Sequence, residues 1–212
     1  MSWRLASRLS VLVTAFLVVI IVALIGMRNN ASSTSSASST TSTNTSGLQG
    51  TDLGGTPAPN FRLTDQSGKL VSLSQFKGQP VVLTFLYTHC PDVCPLTAEK
   101  LHSVMLSLGS NAQHVTVLAV SVDPKGDTQA SVLNFSRVHH MLDYWHYLTG
   151  TERQLSPVWS AYSMYASAAT ANTVNHSTAL YVIDKQGKER AFLSDTFAPS
   201  QLTTDLNILL KE

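Results

Sequence analysis

The sequence predicts an α/β sandwich preceded by a membrane helix and a flexible linker, and three patterns carry that prediction. Short apolar runs rich in β-branched residues (Val81–Tyr87, Val115–Val122 and Thr178–Asp184) read as buried strands. Segments between and after them repeat apolar residues at helical spacing, beginning with Leu101, Val104, Met105 and Leu108 at i, i+3, i+4 and i+7. A 19-residue stretch without a charge separates Arg8 from Arg28. With 212 residues, 43% of them hydrophobic, the chain is long enough for one ordinary domain plus appendages. Only 13% of residues are charged and the net charge is +1, so no electrostatic footprint points to nucleic acid.

Taken in order, residues 1–28 read as a signal anchor. The uncharged stretch approaches the ~20 residues a helix needs to cross a bilayer and exceeds the ~7–15-residue apolar region of a cleavable signal. Ile25-Gly26-Met27-Arg28-Asn29-Asn30 offers no small-x-small cleavage site. Arg4 and Arg8 lie ahead of the span and Arg28 alone lies close behind it. That keeps the N-terminus in the cytoplasm and the C-terminal domain on the extracytoplasmic side of the cell membrane. Residues 29–56 read as a linker. From Ala31 to Ser46, thirteen of sixteen residues are Ser or Thr, which leaves nothing to fill a core; such a tether reaches roughly 30 Å.

Residues 57–212 form the folded domain. Phe61–Leu63 and Leu70–Leu73 flank Asp65-Gln66-Ser67-Gly68-Lys69 and read as an N-terminal hairpin. Strand Val81–Tyr87 follows, then the helix that carries Leu101 to Leu108 and starts with Cys94 on its inward side. Strand Val115–Val122 is stopped by Asp123-Pro124, and helical segments span Thr128 to His140 and Glu152 to Met164. Strand Thr178–Asp184, the tight turn Lys185-Gln186-Gly187-Lys188 and strand Arg190–Leu193 come next. Leu202, Leu206, Leu209 and Leu210 mark a closing amphipathic helix. A βαβ unit, a helical excursion and a ββα end make a thioredoxin-like sandwich.

The chain's two cysteines stand in Cys90-Pro91-Asp92-Val93-Cys94-Pro95, directly behind the first long strand. A strand feeding a helix sets its loop at the carboxyl edge of the sheet, where ligands bind. The helix N-terminus there favours a thiolate, the form that binds metal and attacks disulfides. Three residues separate the cysteines, not the two of thioredoxin-like oxidoreductases. At helical i, i+4 spacing their Cβ atoms lie roughly 5–6 Å apart on one face. Such a pair can converge on a soft metal, exchange disulfides, or lock a loop as one disulfide.

A metal site of two sulfurs wants a third ligand, and seven histidines are available. His102 and His114 read as surface or boundary residues of the helix after Cys94. His139, His140 and His146 read as packed or solvated near Trp145 and Tyr147. His89 adjoins Cys90, but consecutive residues leaving a strand point to opposite sides. His176 stands just ahead of strand Thr178–Asp184, which in a thioredoxin-type sheet neighbours Val81–Tyr87, and it is the favoured third ligand.

Four segments, in this order, resemble the Sco/SenC family: Tyr87-Thr88-His89-Cys90-Pro91-Asp92-Val93-Cys94-Pro95, Ser121-Val122-Asp123-Pro124, Leu148-Thr149-Gly150, and His176-Ser177-Thr178 with Tyr181-Val182-Ile183-Asp184. The likeness spans essentially all of residues 57–212. It implies a membrane-anchored, thioredoxin-fold copper protein that serves assembly of the dinuclear copper centre of cytochrome c oxidase, with that oxidase's copper-centre subunit as partner. The family's copper ligands fall on Cys90, Cys94 and His176. The chain departs from the family at Lys125-Gly126-Asp127-Thr128-Gln129, where an arginine usually precedes Asp-Thr-Pro. It departs again in the short, small-residue stretch from Ala166 to Asn175, which has to carry His176 toward the thiols.

Three function classes use such a pair. A metallochaperone uses soft thiolates and one imidazole for Cu(I), or for Cu(II) with an added ligand, whereas a structural zinc site wants a fourth protein ligand. A thiol–disulfide oxidoreductase would use Cys90 and Cys94 catalytically on the copper-site cysteines of a partner. The cis-proline that such enzymes hold before the facing strand is replaced here by Thr178, and no proline stands between Pro157 and Pro199. A peroxiredoxin-like peroxidase needs an arginine behind one low-pKa thiol, and Arg62 and Arg137 stand in no such motif. The sequence therefore favours a copper chaperone over an enzyme, with a Cys90–Cys94 disulfide that forms reversibly outside the cytoplasm.

Overall fold

The computed structural model of the protein describes residues 47–170, 173–176 and 178–212. The expected signal anchor and the linker up to residue 46 lie outside the described residues. Among those described, no helix is long and apolar enough to cross a membrane. The chain runs β1 (Thr51–Pro57), β2 (Arg62–Thr64), β3 (Leu70–Ser72), β4 (Val81–Leu86), α1 (Val93–Leu108), β5 (Thr116–Ser121), α2 (Gln129–Val138), β6 (Trp145–Leu148) and α3 (Glu152–Ala161). It continues through β7 (Ala166–Thr170), β8 (Thr173–His176), β9 (Leu180–Ile183), β10 (Lys188–Leu193) and α4 (Pro199–Leu209).

Six strands form one mixed sheet in the order β1-β10-β9-β4-β5-β6. β4 pairs in parallel with β5, and β5 in parallel with β6, while β9 runs antiparallel to β4 with Val81 opposite Ile183 and Thr84 opposite Leu180. Every residue of β4, β5 and β9 is buried, as continuous apolar runs require of strands covered on both faces. On α1 the inward residues Cys94, Ala98, Leu101, Val104, Met105 and Leu108 are all buried, the helical face the spacing predicts. α1 packs on α4, whose Leu202, Leu206 and Leu209 are fully buried.

Three pieces of this architecture differ from the sequence expectation. All of β1 but Pro57 lies in the stretch read as linker: it pairs antiparallel with β10, Thr51 opposite Phe192 and Pro57 opposite Lys188. Thr51-Asp52-Leu53-Gly54-Gly55-Thr56-Pro57 has almost no apolar pattern because an exposed edge strand is held by its backbone ladder. The helical excursion between β5 and β9 contains β6, a four-residue strand too short to show a period. The small-residue stretch before His176 is an antiparallel hairpin, β7–β8, with Ala166 opposite His176. Its Ala, Ser and Thr residues give no hydrophobic alternation to read.

Candidate metal centre

β4 delivers the chain to the carboxyl edge of the sheet, and the loop from Tyr87 to Asp92 turns it into α1. The turn is closed by the Cys90 amide, which donates to the Tyr87 carbonyl at 3.4 Å. α1 begins without a side-chain cap from Asp92. Cys90 takes over that duty: the Cys94 amide donates to the Cys90 sulfur at 3.4 Å. Pro95, the third residue of the helix, has no amide to satisfy. A sulfur that accepts an orphan helix amide is stabilised as a thiolate.

The two cysteines are free thiols in different surroundings: Cys90 is partly exposed and Cys94 fully buried. They share a hydrogen bond in which the Cys94 thiol donates to the Cys90 sulfur. That bond, with the Asp92 and Cys94 amides and the Tyr87 hydroxyl, holds Cys90 down to about 5 against its own partial burial. The same bond and burial push Cys94 far up, against a weaker contribution from the Tyr87 amide. One proton thus resides on Cys94 while Cys90 carries the charge.

Tyr87 ties this loop to the β7–β8 hairpin. It is buried, and its hydroxyl meets both the Cys90 sulfur and the backbone amide of Val174 in β8; burial and the Cys90 charge raise its pKa. His176 ends β8, two residues beyond Val174. The next strand, β9, enters the sheet beside β4, and Thr84 donates to the Ala179 carbonyl at 3.2 Å. The backbone of His176 therefore arrives at the edge where the cysteine loop leaves; its side chain lies outside the described residues.

A buried carboxylate, Asp127, supports the loop from beneath. Asp127 Oδ1 accepts from the Thr88 amide at 2.8 Å and the Thr88 hydroxyl at 2.7 Å. Its Oδ2 accepts from Ser121 Oγ at 2.6 Å and from the Tyr147 hydroxyl at 3.2 Å. Burial nonetheless raises its pKa above the usual carboxylate range, opposed by the Ser121 and Thr88 donors. The signal in the sequence was an aspartate four residues after Asp123, whose own carbonyl accepts the Asp127 amide.

His89 turns to this side of the loop. One ligand atom from each of His89, Asp123 and Asp127 falls within 4.8 Å of the others. Asp123 Oδ1 is engaged by the Lys125 and Gly126 amides, and His89 Nδ1 faces Thr88 Oγ1 at 3.2 Å. With Asp127's four acceptor positions filled, the cluster reads as loop scaffolding. Gly126 is required in it, because a Cβ there would collide with the Asp123 carboxylate. A cavity of about 470 Å³ lies at the other end of β4, beside Phe76, Val81 and Lys188. Of the two thiols, only Cys90 reaches solvent.

Of the other histidines, His146 pairs with Asp65 at 3.0 Å, and His114 ends the 3-10 turn after α1. The SCO1/SenC family model matches residues 50–211. A mitochondrial SCO2 homologue from Bos taurus is 33% identical over 153 residues, covering 68% of this chain and 56% of that protein, so the chain spans about half its relative's length. The copper-bound structure of Bradyrhizobium japonicum ScoI superposes with a TM-score of 0.65 at 30% identity, covering 72% of this chain and 99% of that one. Copper-bound Arabidopsis thaliana ScoI gives 0.66 at 25% identity, covering 73% and 99%.

Proposed function

This chain belongs to the SCO1/SenC family, and from that premise we propose that it is a membrane-tethered copper metallochaperone. It binds copper as cargo through Cys90, Cys94 and His176 and serves assembly of the dinuclear copper centre of cytochrome c oxidase, whose copper-centre subunit is the partner. The observation that carries this reading is the pair of free sulfurs, hydrogen-bonded to each other at the head of α1, with Cys90 reaching solvent and Cys94 buried behind it. Soft thiolates suit Cu(I), and an imidazole extends the set to Cu(II). The hydrogen bond between Tyr87 and Val174 supports it further, since it fastens the strand that ends in His176 to the loop that holds the sulfurs. Relatives described with copper bound point to the same metal.

The test is metal analysis of the reduced chain after anaerobic desalting. One copper per chain is the expected result, and a ratio near zero overturns the reading. Cys90→Ser or Cys94→Ser should abolish tight Cu(I) binding. His176→Ala leaves two thiolates for linear Cu(I) and should chiefly weaken Cu(II) and change its spectrum.

The asymmetry of the thiols favours a second reading, reduction of a disulfide in the partner's copper site. The Cys90 thiolate would attack a partner sulfur, and Cys94, losing its proton, would resolve the mixed disulfide. The partner leaves with two thiols and this chain with a Cys90–Cys94 disulfide. Trapping of a mixed disulfide by Cys94→Ser, with no copper bound by the wild type, would place this reading first.

A further inference from the structure

We propose a second metal site, distinct from the thiols, in which His102 and His140 bind a borderline divalent ion, Cu(II) foremost. The sequence scatters these residues on separate segments, and the fold brings them together. His102 lies on α1, eight residues beyond Cys94, so roughly 12 Å further along the helix. His140 follows α2. Their rings stand 5.6 Å apart between centroids, tilted by 34°; His140 is exposed, and His102 is half-buried with its ring 5.9 Å from that of Tyr144. Neither ring nitrogen pair has a hydrogen-bond partner among the described residues. Two imidazoles side by side with free nitrogens can supply two ligands of a tetragonal Cu(II) site, with water completing it.

The backbone at His140 makes the juxtaposition more than incidental. α2 ends in a Schellman motif: the Met141 amide donates to the Ser136 carbonyl at 2.8 Å and the His140 amide to the Arg137 carbonyl at 3.1 Å. His140 occupies its left-handed position with φ 56°, a place ordinarily taken by glycine. Met141 after it is fully buried and fixes the turn. The conformation a glycine would adopt more easily holds an imidazole against α1 instead. Glu99, one turn before His102, faces the neighbouring His139 closely enough to act on its charge and supplies a nearby anion for a bound cation. His139 itself packs its ring on Phe135 at 4.4 Å.

This site does not depend on the thiol reading, and the experiment separates them. In the full chain carrying Cys90→Ser and Cys94→Ser, one equivalent of Cu(II) is added, loose metal is removed by desalting, and the electron paramagnetic resonance spectrum is recorded. The expected spectrum shows superhyperfine coupling to two imidazole nitrogens and survives His176→Ala and His89→Ala. It should be lost, with affinity falling at least about tenfold, in His102→Gln and in His140→Gly, since even outer residues of metal sites cost about that much. Glycine at the left-handed position should leave the melting temperature at or above the parent's, which excludes misfolding as the cause. No retained copper, a spectrum unchanged in His102→Gln and His140→Gly, or a spectrum lost with His176→Ala or His89→Ala would each overturn the proposal.

Discussion

Cys90 and Cys94 differ because a single hydrogen bond between them assigns the proton. The sulfur nearer solvent also collects two backbone amides and the Tyr87 hydroxyl, all of which favour its anion. The buried sulfur faces a neighbouring negative charge and loses hydration if it ionises. Since only thiolate is alkylated, the rate at which iodoacetamide modifies Cys90 in the reduced chain should rise with pH to half its plateau near 5. Cys94 should stay unmodified at neutral pH in the folded chain, by peptide mapping. A Cys90 midpoint near the ordinary ~8.5 of a free thiol would contradict the geometry. At this scale the thiol half of the site was legible in the sequence, because strand, spacing and helix start are local features. Asp127 and Tyr87 were not: their meaning arises only when Thr88, Ser121, Tyr147 and Val174 come together from four separate segments.

Among the elements, the loop between β4 and α1 is hydrogen-bonded where Asp127 binds it and partly exposed where Cys90 sits. Asp127→Ala would leave the Thr88 amide and hydroxyl, the Ser121 hydroxyl and the Tyr147 hydroxyl without their acceptor. Buried donors so orphaned should lower stability on the order of 3 kcal/mol, read from urea denaturation at pH 7. Asp127→Asn keeps one acceptor oxygen and should lose less. If both variants unfolded at the wild-type midpoint, the carboxylate would not be what secures the loop. The elements hidden from sequence analysis share a physical cause. β4, β5, β9 and α1 announce themselves because burial demands apolar residues. β6 is largely buried but only four residues long, too short to show a period, whereas β1 and the β7–β8 hairpin are held by backbone hydrogen bonds that ask little of their side chains. The hairpin matters most, since it turns what reads as a passive loop into a structured carrier for His176.

The folded domain is closed by its first and last described segments. Leu48 is buried, and the Gln49 amide donates to Asp205 of α4 at 2.6 Å, so the segment leading into β1 is fastened to the last helix. Arg190 meets Glu212 at 2.6 Å and Lys185 donates to the Leu210 carbonyl at 2.8 Å, which secures the other end to β10 and its turn. Asp205 is fully buried, and its Oδ2 has no partner among the described residues. Burial raises its pKa, only partly offset by the Gln49 and Gly50 amides. The folded state therefore holds this proton to higher pH than the unfolded chain does, and proton binding favours folding. That contribution is full below the unfolded-state pKa, about 4, and disappears as pH rises through the raised folded value. Asp127 shifts in the same direction, so the wild-type curve alone cannot assign the effect. The urea midpoint should fall more steeply from about pH 4 to neutrality in the wild type than in Asp205→Asn, which cannot ionise. Parallel curves for the two proteins would mean that the carboxylate under the entry strand is already paired, and that this strand is held to the last helix by Leu48 and the backbone ladder alone.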